Sequence, residues 1–290
     1  MAGQKQHDFH IVDPSPWPLV AAFSVFLMLT GIVLWVNGDA DILTAGTPIV
    51  FGLGFVAVNV AAFLWWSDVV RESHTGEHTP VVRIGLRYGV ILFIMSEIMF
   101  FAAWFWMWGK HWLYPMPTTA GAEGALGGNH GTIGVWPPQG IELVDPWHLP
   151  LLNTLLLLTS GAAATWAHHA VMENDRKGVV NGLMLAVILG VIFTAVQAYE
   201  YYEILHLGWF DDGSWIYGSS FFLATGFHGF HVIIGTIFLI VCLMRALRGH
   251  FSPDAHVGFE AGAWYWHFVD VVWLFLFALI YVGVLWFPNG

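Results

Sequence analysis

Charge is the first scarcity. Only 10% of the 290 residues are Asp, Glu, Lys or Arg, where a soluble domain carries about 25%. Nine Lys and Arg and twenty Asp and Glu are too few to cover a soluble fold of this size. Cysteine is scarcer still. Cys242 stands alone, which excludes an intrachain disulfide and any site built from several thiolates. It lies in an apolar run and reads as a small buried hydrophobe. No basic run is present, so nucleic acid is excluded as a partner. The net charge of −11 comes from acidic residues scattered among the polar connections, and no basic partner is read from it. Heptads, repeats of 20–50 residues and low-complexity tails are also missing. The first sixteen residues are polar, and no short apolar core with a small-residue cleavage site follows them. Residues 17–36 therefore read as a mature span rather than a signal peptide.

Apolar residues are abundant, at 57%, with seventeen Trp and twenty-three Phe. They gather into seven segments, near 17–36, 48–67, 85–108, 149–170, 179–202, 217–244 and 264–287. Each is close to the roughly 20 residues that cross a bilayer as a helix. The fold class expected is an all-α membrane protein with seven transmembrane helices. Residues 109–148 hold five prolines and a Gly-rich stretch and read as a loop. The basic residues fall unevenly about these spans. Lys5, Arg71, Arg83, Arg87, Arg176, Lys177, Arg245 and Arg248 lie on one side and only Lys110 on the other. By the positive-inside rule the side with eight is cytoplasmic, and the amino terminus lies there. The connections at 37–47, 109–148 and 203–216, and the carboxyl end, then face outward.

Glu97 is the sharpest polar feature. It follows Arg87 by ten residues and precedes Trp108 by eleven, about 15 Å from either end of its span. An ionised carboxylate at that depth is expensive unless neighbours satisfy it. It is either a proton- or lipid-related site or a carboxyl hydrogen-bonded inside the bundle. Glu200 and Glu203 share a face among Tyr199, Tyr201 and Tyr202, which suits an interfacial packing role. Fifteen His raise a metal question. His228 and His231 share a face near mid-membrane, but His267 reads as lying near the cytoplasmic start of its helix, so the depths do not match. His168 and His169 lie beside Glu173, Asp175, Arg176 and Lys177 and read as solvated. No metal site is expected. Asp270, six residues after Trp264, reads as near the cytoplasmic headgroups. His231 and Arg245, fourteen apart, share a helix face, with Arg245 at headgroup level where an Arg reaches phosphate. Trp66, Asp68, Arg71, Glu72, His74, Glu77 and His78 form a second cluster, either a zwitterionic lipid site or a solvated loop with an interfacial Trp.

At these residues the chain resembles subunit III of the haem–copper cytochrome c oxidases, of the aa3 type. The resemblance is carried by Trp65-Trp66 with Asp68 and Arg71-Glu72-Ser73, by Ser96-Glu97 with Phe100-Phe101, and by Trp136-Pro137-Pro138. It continues through Thr165-Trp166-Ala167-His168-His169, Asp175-Arg176-Lys177, Tyr199-Glu200-Tyr201, residues 224–235 and residues 258–276. The resemblance implies two helices and five helices on either side of a V-shaped, lipid-filled cleft, divided here as 1–72 and 73–290. It implies a non-catalytic subunit, without a redox cofactor of its own, packed against catalytic subunit I and other subunits that hold the haem and copper. By the same resemblance Trp66, Glu72 and His78 hold a phosphatidylethanolamine head. Trp106, His231 and Arg245 hold other lipids such as phosphatidylglycerol, and Arg71 and Arg248 lie near cardiolipin. Glu97 matches the membrane carboxyl that carbodiimides modify. Residues 117–135 look longer and richer in Gly than in mitochondrial members, and Lys110 stands where those often carry His. Both departures favour a bacterial inner membrane.

Two other functions are weighed against this one. A transporter or channel tends to show internal repeats and paired intramembrane charges, and only Glu97 is placed deeply here. The equivalent subunit of a quinol oxidase usually has five spans, two fewer than this chain.

Overall fold

The computed structural model describes residues 14–36, 48–114, 136–137, 141–207, 209 and 215–286. Seven helices are long and apolar enough to cross a membrane. They are α1 (Trp17–Val36), α2 (Ile49–His74), α3 (Pro80–Leu113), α4 (Leu149–Met172), α5 (Arg176–Ile204), α6 (Trp215–Leu247) and α7 (Val257–Leu276). The last span continues through a π-helical turn, Phe277–Val282, into the short α8, Gly283–Trp286. No strand occurs among the described residues. The chain is an all-α, seven-span membrane protein.

Local chemistry places several helix ends. Pro80 opens α3, and Pro150 sits in the first turn of α4, where a missing N–H costs nothing. The α4–α5 connection is short. Asn174 takes a left-handed φ of 57°, and Asp175 caps α5 by accepting from the Lys177 amide at 3.1 Å. The helices are longer than the apolar runs that announce them. The largest extension is at α7, which begins at Val257 rather than near 264. The extra seven residues add about 10 Å of helix before Trp264. His267 and Asp270 therefore lie deeper than their distance from Trp264 implied.

The chain divides into two compact units, Met1–Leu86 and Arg87–Gly290, with the boundary inside α3. In the first unit α1 and α2 pair through glycine. A Cβ on Gly31 would overlap the backbone of Phe51, and one on Gly54 the backbone of Met28. Small residues at these points let the two helices close to backbone contact.

In the second unit α4 and α5 pack through Ala163, Ala167, Gly178 and Gly182. The α6–α7 contact is built around Trp266, whose ring edge lies where a Cβ of Gly235 or Gly190 would fall, at 2.8 and 2.9 Å. Its indole N–H donates to Ser160 Oγ at 3.1 Å, and Ser160 donates to the Ala186 carbonyl at 2.7 Å. This ties α4, α5 and α7 at one level. The part of α3 in this unit is joined to α6 and α7 by large side chains instead. Phe100 and Trp104 meet Phe227, Phe101 meets Phe268 and Trp108 meets Tyr217, with centroids 5.0–6.0 Å apart. Only 6% of the central α3 window is buried, against 56% of the last span. Most of α3 is thus left for lipid or for another chain.

Candidate functional site

The unit Arg87–Gly290 carries one continuous polar seam along α3, α6 and α7. At its centre Glu97 Oε2 lies 3.1 Å from His231 Nε2. His231 Nδ1–H donates to the Phe227 carbonyl at 2.6 Å, so Nε2 is free to share a proton with the carboxyl. The contact holds a proton in either arrangement, as carboxyl and imidazole or as carboxylate and imidazolium. Phe101, Tyr265 and Phe268 surround the imidazole with centroids 5.0–6.4 Å away. Glu97 is therefore satisfied inside the bundle, one of the two alternatives its depth left open.

Towards the end of α6, Arg245 is half-buried. Its guanidinium lies over the Phe251 ring, 4.8 Å from the centroid. Its Nε is buried without a partner, and no carboxylate among the described residues pairs with it. Gly258 makes room for it, because a Cβ there would stand 2.7 Å from Nη1. Arg248, one turn on, is exposed. Trp106 is also exposed, at 68%, on α3.

The residues of the first unit are described by themselves. Trp66 is 69% exposed. Arg71 is engaged by Asp68 at 2.6 Å, and Asp68 also accepts from the Trp17 indole N–H at 2.5 Å. The Asp68 pair thus fastens the start of α1 to the last turns of α2. Glu72 and His78 are half-buried, and the His78 carbonyl accepts from Arg83 Nε at 3.0 Å.

Several polar residues stand differently from their sequence reading. His168 is half-buried with its Nε2 fully enclosed, not solvated, whereas His169 is exposed. Asp270 is buried and takes His267 Nδ1 at 3.2 Å, while His267 Nε2 meets Thr165 Oγ1 at 3.0 Å. The two deep histidines of α6 diverge, since His228 turns to the Val269 carbonyl at 3.2 Å and against Trp273. Glu200 is only 2% exposed, and the Tyr281 hydroxyl donates to it at 2.6 Å. Gln197 links this pair to Asn153 on α4 at 3.0 Å. Sequence reasoning missed the ion pair of Arg87 with Glu260, at 2.8 Å. Its partners are 173 residues apart, and the only signal for it was an acidic residue near the foot of the last span.

These features define a multi-pass helical membrane protein whose buried polar groups mostly join helices to one another. The family model for cytochrome c oxidase subunit III matches residues 7–286. The chain is 50% identical over 278 residues to cytochrome c oxidase subunit 3 of Prototheca wickerhamii, covering 96% of this chain and 98% of the relative. It is 48% identical over 285 residues to that of Arabidopsis thaliana, covering 97% and 98%. It is 49% identical over 276 residues to that of Halichoerus grypus, covering 95% and 97%. The chain belongs to the cytochrome c oxidase subunit III family and is a subunit of that oxidoreductase complex, with other oxidase subunits as its partners.

Proposed function

We propose that this chain is a non-catalytic, lipid-bearing subunit that stabilises catalytic subunit I and supports proton uptake in a bacterial cytoplasmic membrane. The observation that carries the lipid reading is Arg245. A half-buried guanidinium with a buried, unpartnered Nε and no carboxylate among the described residues calls for an anion, and a phosphodiester at headgroup depth supplies one. Arg248 on the next turn and exposed Trp106 on α3 fit the same role in the second unit. Trp66, Arg71, Glu72 and His78 form the corresponding set on the first, with an aromatic for the interface and charges of both signs for a zwitterionic head. Replacing Arg245 with Ala will lower the phospholipid that co-purifies with the complex, read by mass spectrometry. Unchanged lipid content would remove the argument.

The orientation rests on the eight-to-one split of basic residues. Gly178 makes a poor labelling position, because a side chain there would stand 2.9 Å from Ala170 Cβ. Gly124 lies outside the described residues. Lys177 and Lys110 are both exposed, and Cys242 is buried, so cysteines at those two positions report cleanly. A membrane-impermeant maleimide added from outside will label Lys110→Cys and not Lys177→Cys. The reverse pattern would invert the topology.

The role in turnover is tested by removing the chain. The depleted oxidase will keep its haem spectrum and its initial rate but will inactivate after fewer turnovers. Its proton uptake will slow most at high pH. As pH rises, bulk protons become scarce, and a surface carrying titratable His gathers them for the uptake path. His74, His78 and His169 lie at the basic-rich ends of the spans. His7, Asp8 and His10, the amino-terminal groups assigned to the same task, lie outside the described residues. Equal lifetimes and equal pH profiles with and without the chain would leave only an assembly role. Loss of the haem spectrum on gentle removal would show that the chain holds part of a redox site.

A further inference from the structure

The geometry points to a divalent-metal site made by His168, His256 and Glu260, a set of two imidazoles and one carboxylate that suits Zn2+. Each residue offers one ligand atom, and the three atoms lie within 4.8 Å of one another. Ligands of a tetrahedral zinc, at about 2.0–2.2 Å from the metal, stand about 3.3–3.5 Å apart. The His256 Nε2 to Glu260 Oε1 edge is already 3.6 Å. The edges to His168 close by movements of roughly 1 Å, which rotation of an imidazole and a carboxylate supplies.

Each ligand is held by a partner on the atom the metal would not use. His256 Nδ1 faces the Ser252 carbonyl at 3.0 Å, which fixes its proton there and leaves the Nε2 lone pair aimed at the cluster. Glu260 is held by Arg87 through Oε2 at 2.8 Å, which leaves Oε1 turned to the imidazoles. The His168 ring stands edge-on to Phe259, with centroids 5.7 Å apart, and 5.7 Å from the His256 ring. The cluster is largely withdrawn from solvent, since His256 is 9% exposed and the Glu260 side chain 14%.

An ion-pair network with Arg87 accounts for Glu260 and, in part, for His256. It does not account for His168. The Nε2 of His168 is buried with no hydrogen-bond partner, and leaving such an atom unsatisfied is costly. A metal satisfies it and both other ligand atoms at once. Two imidazole nitrogens and one carboxylate oxygen leave a fourth position for water. The ion would fasten the end of α4 to the beginning of α7, beside the connection that holds Ser252. The positive charge of Arg87 opposes the ion, so binding is weaker than at an isolated site of the same ligands.

The test uses the intact oxidase complex, stripped with a chelator and then titrated with Zn2+ by equilibrium dialysis and elemental analysis. The wild-type complex will take up one more equivalent than complexes carrying His256→Ala or Glu260→Gln, whose affinity at this site will fall on the order of 100-fold or more. The same stoichiometry and affinity in all three would overturn the site. Should the variants fail to assemble, anomalous diffraction at the zinc edge from wild-type crystals soaked in Zn2+ decides the matter. A peak among the three side chains supports the site, and no peak there rejects it.

Discussion

Replacing Gly54 with Val will keep α1 and α2 apart, and little of the chain will be recovered in the oxidase. A Cβ at Gly54 overlaps the backbone of Met28, and at the reciprocal contact a Cβ on Gly31 overlaps that of Phe51. Neither obstacle is the tip of a flexible side chain, so nothing can swing aside. Restoring ordinary carbon–carbon separations of about 3.5–4.0 Å forces the helices apart by on the order of 1 Å or more along the whole contact. Overpacking of this kind costs about 1–3 kcal/mol, a fall of roughly 5- to 150-fold in the pairing equilibrium. Gly52 is the control. It lies on the same helix with nothing within 4 Å of its would-be Cβ, so Gly52→Val should assemble as the parent does. Equal recovery of the two variants with the complex would show that the close approach does not matter.

Glu200→Leu will destabilise the unit Arg87–Gly290, whereas Glu200→Gln will not. Glu200 Oε1 receives the Tyr281 hydroxyl at 2.6 Å and the Gln197 amide at 3.4 Å, and Gln197 in turn receives Asn153 at 3.0 Å. The chain of bonds runs from α4 through α5 to the last span. Leucine fills the space but strands the Tyr281 hydroxyl and the Gln197 amide. A stranded buried group costs about 1–3 kcal/mol. Interhelical bonds in membranes return less, about 0.6 kcal/mol on average, because separated helices also find partners. The expected loss is about 2 kcal/mol for Leu and near zero for Gln, whose amide oxygen still accepts from Tyr281. Thermal denaturation in detergent, followed by loss of the chain from the complex, reads the difference. If both variants melted alike, the hydrogen-bond chain would carry no stability.

The spans were legible because the bilayer imposes a length and a hydropathy that any twenty residues must meet one by one. The depth of Glu97 was legible for the same reason, as a count of residues from Arg87 and Trp108. Its partner was not, because His231 is 134 residues away and only packing of α3 against α6 brings them together. The same gap concealed the Arg87–Glu260 pair. There the concealment also moved a boundary. His256-Val257-Gly258-Phe259-Glu260 looks like a polar approach to the membrane, yet it is the first turns of α7 with its charge neutralised by Arg87. His168 was misread by its neighbours, since Glu173, Asp175 and Lys177 are indeed exposed while its own ring turns inward beneath Phe259.

The π-helical turn at Phe277–Val282 bears on how this chain can change over generations. Its wide winding is closed by the Gly283 amide bonding to the Ala278 carbonyl, five residues back. One residue fewer in the turn would let the segment relax into an ordinary α-helix. Everything beyond the deletion would then swing by about 100° about the axis relative to α7. Tyr281 would lose its aim at Glu200, and Val284 would leave the core. Selection at this segment therefore acts on its length as well as on its side chains. Apolar substitutions there are replaceable one for another, but an insertion or deletion is a mutation of the whole carboxyl-terminal face.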